Sequence, residues 1–260
     1  MYSKLRVYKS GIHLGEERIV AGNCNSGMIN FSGCHLACNF CYTPETSVEQ
    51  QGQDLSTGEF TDLLDELVVR GARNLNFISP SHVWAVAQPA ARRIKAKYGR
   101  RLPLILKISG YERQGLLSSM AALGDVFVPD FKVWSPEVAR SLNLPEDYGV
   151  TAQNAVRLLI QTHGAPQYSD DMKLSSGVLV RHLMMPEHFE DSLDVVEALG
   201  DIGFSGHLNL MTYFYDPRTR RIHNANPTQR DLLATKADQL GMSVLINGKV
   251  FQSQERRIYA

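Results

Sequence analysis

The segment Met28-Ile29-Asn30-Phe31-Ser32-Gly33-Cys34-His35-Leu36-Ala37-Cys38-Asn39-Phe40-Cys41-Tyr42 sets a short apolar run directly before three closely spaced cysteines. Residues 28–32 read as a strand, and the cysteines follow it as C-x3-C-x2-C. Thiolates this close can converge on one metal centre without long-range folding. A disulfide scaffold spreads its cysteines to staple distant segments, whereas all four here (Cys24, Cys34, Cys38 and Cys41) fall within one short stretch. A structural zinc site wants four closed ligands, usually as two separated pairs, and His35 beside Cys34 is poorly placed to complete one. An electron-carrier cluster also wants four cysteines, and none follows Cys41. Three thiolates therefore point to a [4Fe–4S] cluster with one iron left open; a zinc or plain electron-transfer module is the alternative.

Outward from this segment the chain alternates short apolar runs with helical patterns. Further strands are expected at 75–79, 104–109, 126–131, 177–184 and 207–214. The clearest helix covers about 57–70, with Phe60, Leu63, Leu64, Leu67 and Val68 on one face, a Ser56/Glu59 capping box and Gly71 at its end. Another spans about 227–240, with Asn226 as cap, Pro227 in the first turn and Gly241 closing it. Weaker helical patterns cover 82–98, 112–122, 151–163 and 189–200. Parallel strands need crossover connections, so six strand–helix units predict a parallel α/β sheet. A full eight-stranded barrel needs ~250 residues, so an open, partial (β/α)6 barrel fits better. We expect one domain over 1–260, with an N-terminal extension (1–26) and a C-terminal tail (243–260) that adds a strand. Ligands of such folds gather at the carboxyl ends of the strands, which is where the cysteine segment falls.

Composition narrows the function classes. Of 260 residues, 43% are hydrophobic and 21% charged, which excludes disorder, collagen-like repeats and coiled coils. Lys+Arg and Asp+Glu both number 27, so nothing suggests a nucleic-acid or acidic-membrane partner. No apolar run approaches the ~18 residues of a membrane span, and Met1-Tyr2-Ser3-Lys4-Leu5-Arg6 does not resemble a signal peptide. A cytoplasmic location is the resulting expectation.

C-x3-C-x2-C with Phe40 before its last cysteine resembles the signature of the radical S-adenosylmethionine (SAM) enzymes. The resemblance implies a [4Fe–4S] cluster on Cys34, Cys38 and Cys41, and SAM chelating the open iron through its amino and carboxylate groups. It also implies reductive cleavage of SAM and removal of a substrate hydrogen, on the partial barrel already expected. The segments GxHxGEE (11–17), FSGCxxxCxFC, SGYE (109–112), PDFK (129–132) and RHLMMP (181–186) read together like the pyruvate formate-lyase-activating-enzyme-like branch. That branch implies a flavodoxin or ferredoxin as electron donor and a glycyl radical enzyme as partner. A radical SAM enzyme acting on a small molecule or another peptide is the alternative.

Ser79-Pro80-Ser81-His82 ends the second strand where many radical SAM enzymes have Gly-Gly-Glu, leaving open how the SAM amino group is held. His82 is read equally as a ligand contact or a helix-start cap. Besides Phe40, the expected SAM contacts are Ser109 for the ribose, Asp130 for the amino or ribose groups, and Lys132 and Arg181 for the carboxylate; a surface ion pair is the plain reading of Asp130 and Lys132. Arginine inside the apolar run Val178-Leu179-Val180-Arg181 needs an anion. Strand alternation turns His182 to the opposite face, as a structural residue. It also sets Asn209, Met211 and Tyr213 on one face. Glu112 is left open. Cys24 reads as a plain small residue, and the arginine groups at 92–93, 100–101, 218–221 and 256–257 as solvated faces.

Overall fold

The computed structural model describes residues 4–14, 17–21, 25–170, 172–185, 187–216 and 219–251. Cys24, Pro186 and the arginines at 218 and 256–257 lie outside them. Strand β1 (Lys4–His13) and the one-turn helix α1 (Arg18–Ala21) lead into β2 (Ser26–Phe31), the strand before the cysteines. Then follow α2 (Pro44–Ser47), β3 (Gln53–Ser56), α3 (Thr57–Val69), β4 (Asn74–Ile78), α4 (Trp84–Tyr98), β5 (Leu104–Ile108), α5 (Gln114–Ala121) and β6 (Val126–Pro129). The second half holds α6 (Pro136–Ser141), α7 (Tyr148–His163), β7 (Gln167–Tyr168), β8 (Leu174–Leu183), α8 (Phe189–Asp201) and β9 (His207–Met211). It closes with the hairpin β10 (Tyr213–Asp216) and β11 (Arg221–Asn224), then α9 (Pro227–Gln239), β12 (Ser243–Ile246) and β13 (Lys249–Val250).

Strands β2, β4, β5, β6, β8, β9 and β12 lie side by side in that order, each pair parallel. Between successive members runs one of α3, α4, α5, α7, α8 and α9, giving the six expected strand–helix units, and β12 is the strand expected from the tail. Among the described residues the sheet stays open: β1 pairs antiparallel with β2 and β3 covers β1 at one edge, while β13 covers β12 at the other. The helix ends follow their local chemistry. Ser56 accepts the Glu59 N–H while the Glu59 carboxylate accepts the Ser56 N–H, completing the capping box of α3. The Asn226 side chain accepts from Thr228 and Gln229 at the start of α9. No helix among the described residues is long and apolar enough to cross a membrane.

Alternation along the parallel strands sorts side chains between two apolar layers. Leu104, Leu106, Ile108, Phe127, Val178 and Val180 face the helices and join the main core. Ile105, Val126, Val128 and Leu179 face inward, where they meet Val20 of α1. Two positions beyond Ile105, Val128 and Leu179 on that inner face stand Lys107, Asp130 and Arg181. The inside of the partial barrel thus passes from an apolar floor to a charged layer at the carboxyl ends of the strands.

The expected sixth strand, 207–214, is shorter than the sequence suggests. Thr212 leaves the parallel ladder: its N–H goes to the Asn247 side chain and its carbonyl to Ala225 N–H. Tyr213 therefore starts the separate β10–β11 hairpin, 58% exposed, instead of sharing a face with Asn209 and Met211. Asn209 is buried and accepts the Gly248 N–H at 2.9 Å, so it serves the turn between β12 and β13. The short helix α6 was absent from the expected pattern.

Candidate functional site

The cysteine loop is anchored by its neighbours rather than by regular structure. Leu36 and Phe40 are buried in the main core. Asn39 N–H donates to the Leu142 carbonyl and its side chain to the Ser141 carbonyl, and the Asn143 side chain donates to the Ala37 carbonyl. The loop is thereby docked on the turn after α6. Cys34, Cys38 and Cys41 are free thiols of intermediate exposure. The Leu36 N–H points at Cys34 Sγ (3.4 Å), and Cys41 Sγ lies 3.0 Å from Ser47 Oγ. Burial pushes the Cys38 thiol up to about 11 and raises that of Cys34, while the Lys132 ammonium opposes both shifts. Burial thus favours the thiol form of Cys34 and Cys38, while the Lys132 ammonium favours the thiolate form that metal ligation uses.

Opposite the loop, three of the expected SAM contacts are joined to one another. Asp130 receives Lys132 Nζ at 2.6 Å and Arg181 Nε at 3.2 Å, and a parallel bridge pairs residues 130 and 181 across the strand ends. The side chains are 17–24% exposed, so the Asp130–Lys132 pair is enclosed rather than superficial. Burial alone would raise the Asp130 carboxyl, but Lys132 and Arg181 outweigh it and hold it below the usual range. Burial would likewise lower Lys132; Asp130 and then Cys38 outweigh it and raise it. Lys132 Nζ also sits 5.9 Å above the Phe40 ring, joining the fourth strand end to the cysteine loop.

Sequence reading missed how this charge layer continues. Arg181 Nη1 approaches Glu17 at 3.6 Å, and Glu17 takes Lys107 Nζ at 3.2 Å. Burial disfavours the Glu17 carboxylate, yet Lys107 and Arg181 hold its pKa at about 2. The available signals were the GxHxGEE segment and a lysine inside the apolar run Leu104-Ile105-Leu106-Lys107-Ile108.

Ser109 is placed beside the cysteine loop: its Oγ lies 2.9 Å from His35 Nε2 and donates to Glu112 Oε1 at 2.8 Å. Glu112 is buried, and its Oε1 also receives Ser109 N–H and Ser81 Oγ. The carboxylate thus joins the second and third strand ends, whereas Oε2 has no hydrogen-bond partner among the described residues. His82 Nε2 meets the Ser32 carbonyl at 2.6 Å, binding the second strand end to the first. The buried Tyr148 hydroxyl lies 2.7 Å from the Ser109 carbonyl and 2.9 Å from that of Asp130, and accepts Lys132 N–H. Gly110, at φ +81°, lets these strand ends approach; a Cβ there would collide with the Asp130 carbonyl. His182 faces away and bonds the Phe131 carbonyl and Ser192 Oγ.

The donor set decides what the loop can hold. Three half-buried thiols lie on this loop, and two of them, Cys34 and Cys38, feel the Lys132 ammonium. Among the described residues, no three His, Cys, Asp or Glu side chains surround a single-ion position. Three thiols fall one short of the four ligands of a closed structural zinc site and suit a cubane that keeps one iron open, so the residues present fit such a cluster.

No protein-family model matches the chain, and no curated protein matches it significantly. Solved structures do. A radical SAM methyltransferase from Sphaerobacter thermophilus superposes with a TM-score of 0.64 at 12% identity, covering 86% of this chain and 66% of that one. SuiB of Streptococcus suis bound to S-adenosylmethionine gives 0.58 at 8% identity over 82% of this chain and 47% of its own; SuiB bound to the precursor peptide SuiA gives 0.57. The chain spans about two thirds of the methyltransferase and about half of SuiB. By architecture, this protein is built on the radical SAM fold.

Proposed function

We propose that the chain is a radical SAM enzyme formed by one domain, with a [4Fe–4S] cluster held by Cys34, Cys38 and Cys41. The observation that carries this reading is the meeting of two features on one rim: the C-x3-C-x2-C loop after β2, and the enclosed Asp130–Lys132–Arg181 group bridged to it through Lys132 and Phe40. When bound, the cluster and SAM together supply one-electron reduction of the sulfonium and a carbon radical able to remove a hydrogen atom. Arg181 presents a planar fork suited to the SAM carboxylate, and Asp130 suits the cationic amino group or the ribose. Lys132 keeps the thiolate end electrostatically favourable. Ser109, held by Glu112, offers its hydroxyl to the ribose.

The substrate of this proposal is a peptide backbone, with installation of a glycyl radical in a partner enzyme as the leading form. The SGYE, PDFK and RHLMMP segments support the activase reading. The peptide-bound state of a neighbour of the same fold favours a second reading, modification of another peptide. An electron donor of the flavodoxin or ferredoxin type completes either reaction. The experiment is isotope transfer: anaerobic enzyme, SAM and reductant are mixed with a proteome labelled with α-deuterated glycine. Deuterium in 5′-deoxyadenosine supports the activase, whereas its absence here, together with transfer from a parallel proteome deuterated at other amino acids, supports the second reading.

A further inference from the structure

Two enclosed acids at the strand ends are treated differently by the fold. Asp130 is matched by two cations, Lys132 at 2.6 Å and Arg181 at 3.2 Å. Glu112, between β5 and α5, pairs with no lysine or arginine among the described residues. Its Oε1 accepts from Ser81 Oγ, Ser109 Oγ and the Ser109 N–H, all of them neutral donors. His35 Nε2 stands 4.0 Å from Oε1 and meets Ser109 Oγ instead. The Glu112 side chain is 0% exposed, yet its Oε2 receives no donor among the described residues.

A buried carboxylate without a counter-charge is unfavourable, and neutral donors on one of its oxygens relieve only part of that. Such a group suits a ligand that brings N–H donors and positive charge. Its position says which part of a ligand that is. Ser81 belongs to Ser79-Pro80-Ser81-His82, the segment after β4 that has no acid of its own, and its hydrogen bond draws Glu112 to that strand end. Through Ser109 and His35 the same carboxylate is tied to the cysteine loop, one residue from Cys34. Resting on the radical SAM reading above, we infer that Glu112 receives the amino group of SAM through Oε2. The third strand end thereby supplies the acid that the second lacks. Asp130, already matched by two cations, is left to the ribose. Ser81 and Ser109 are positioning residues, which engage Oε1 and leave Oε2 for the ligand.

Calorimetry on the anaerobically reconstituted full chain tests this with two probes, SAM and the SAM analogue that lacks the amino group. Glu112→Gln keeps an oxygen for Ser81 and Ser109 but sets an NH2 donor in place of Oε2. It should weaken SAM binding ~10-fold or more and that of the deaminated analogue less than ~3-fold, so the wild-type preference for SAM shrinks. Glu112→Asp withdraws the charge by one methylene and should give a loss in the same direction, again confined to SAM; it serves where the glutamine variant does not fold. Thermal melts and iron content establish that each variant is folded and loaded. Equal losses for the two probes, or unchanged SAM affinity, would overturn the assignment and leave the radical SAM reading in place. Wild-type protein that binds neither probe would remove that reading, and this inference with it.

Discussion

Glu17→Gln removes one negative charge from the middle of the charge layer while keeping the side chain's shape. Glu17 lies 3.2 Å from Lys107 and 3.6 Å from Arg181, and its side chain is only 12% exposed. Its pKa falls from 4.5 to about 2, because the two cations outweigh the burial that would raise it. A carboxylate depressed in the folded state contributes stability above its unfolded pKa and loses it as pH falls through the folded value. At ~1.4 kcal/mol per pH unit, the interval between the two pKa values is worth about 3 kcal/mol at pH 7. The same expression leaves about 2 kcal/mol at pH 3.5. Urea unfolding followed by circular dichroism should therefore place the Glu17→Gln midpoint ~1 M below wild type at pH 7, with a smaller gap at pH 3.5. Equal midpoints at pH 7, or a gap that widens on acidification, would refute the ion-pair reasoning.

Other consequences can be read the same way. Replacing Cys34, Cys38 or Cys41 by Ala should each abolish iron retention after anaerobic reconstitution, while Cys24→Ala retains it; loss in Cys24→Ala equal to that in Cys38→Ala would mean the ligand set is wrong. Asp130→Ala strips Lys132 and Arg181 of their shared counter-charge in an enclosed site and should cost about 3 kcal/mol, measured by denaturation. Arg181→Ala should weaken SAM binding ~10- to 1,000-fold with iron content near wild type, as read by calorimetry on the anaerobic protein. Gly110→Ala, at a positive φ and against the Asp130 carbonyl, should destabilise by about 3 kcal/mol; a wild-type melting temperature would show that these strand ends are slack.

Periodicity was sufficient for the frame because each parallel strand is a continuous apolar run and each crossover helix carries an apolar stripe. The six strands lay within a few residues of expectation, and Ser56, Glu59, Asn226 and Pro227 fixed two helix starts. The position of the cysteine loop after the first parallel strand was legible because its residues are adjacent in sequence. The charge layer was not. Asp130 and Lys132 are two residues apart, but their junction with Arg181, Glu17 and Lys107 depends on strand register, which local spacing does not carry. Glu112 was undecidable for the same reason: four positions after Ile108 it could point outward, and only the fold directs it to Ser81 and Ser109. Thr212 ended a strand early because Asn247, distant in sequence, captured its N–H.

The most direct measurement is electron paramagnetic resonance of the anaerobically reconstituted, reduced protein, with and without SAM. This account predicts about four irons per chain and a reduced-cluster signal that changes when SAM is added, with methionine and 5′-deoxyadenosine accumulating under turnover. A protein that takes up zinc in place of iron, or a cluster whose signal SAM leaves unchanged, would contradict it.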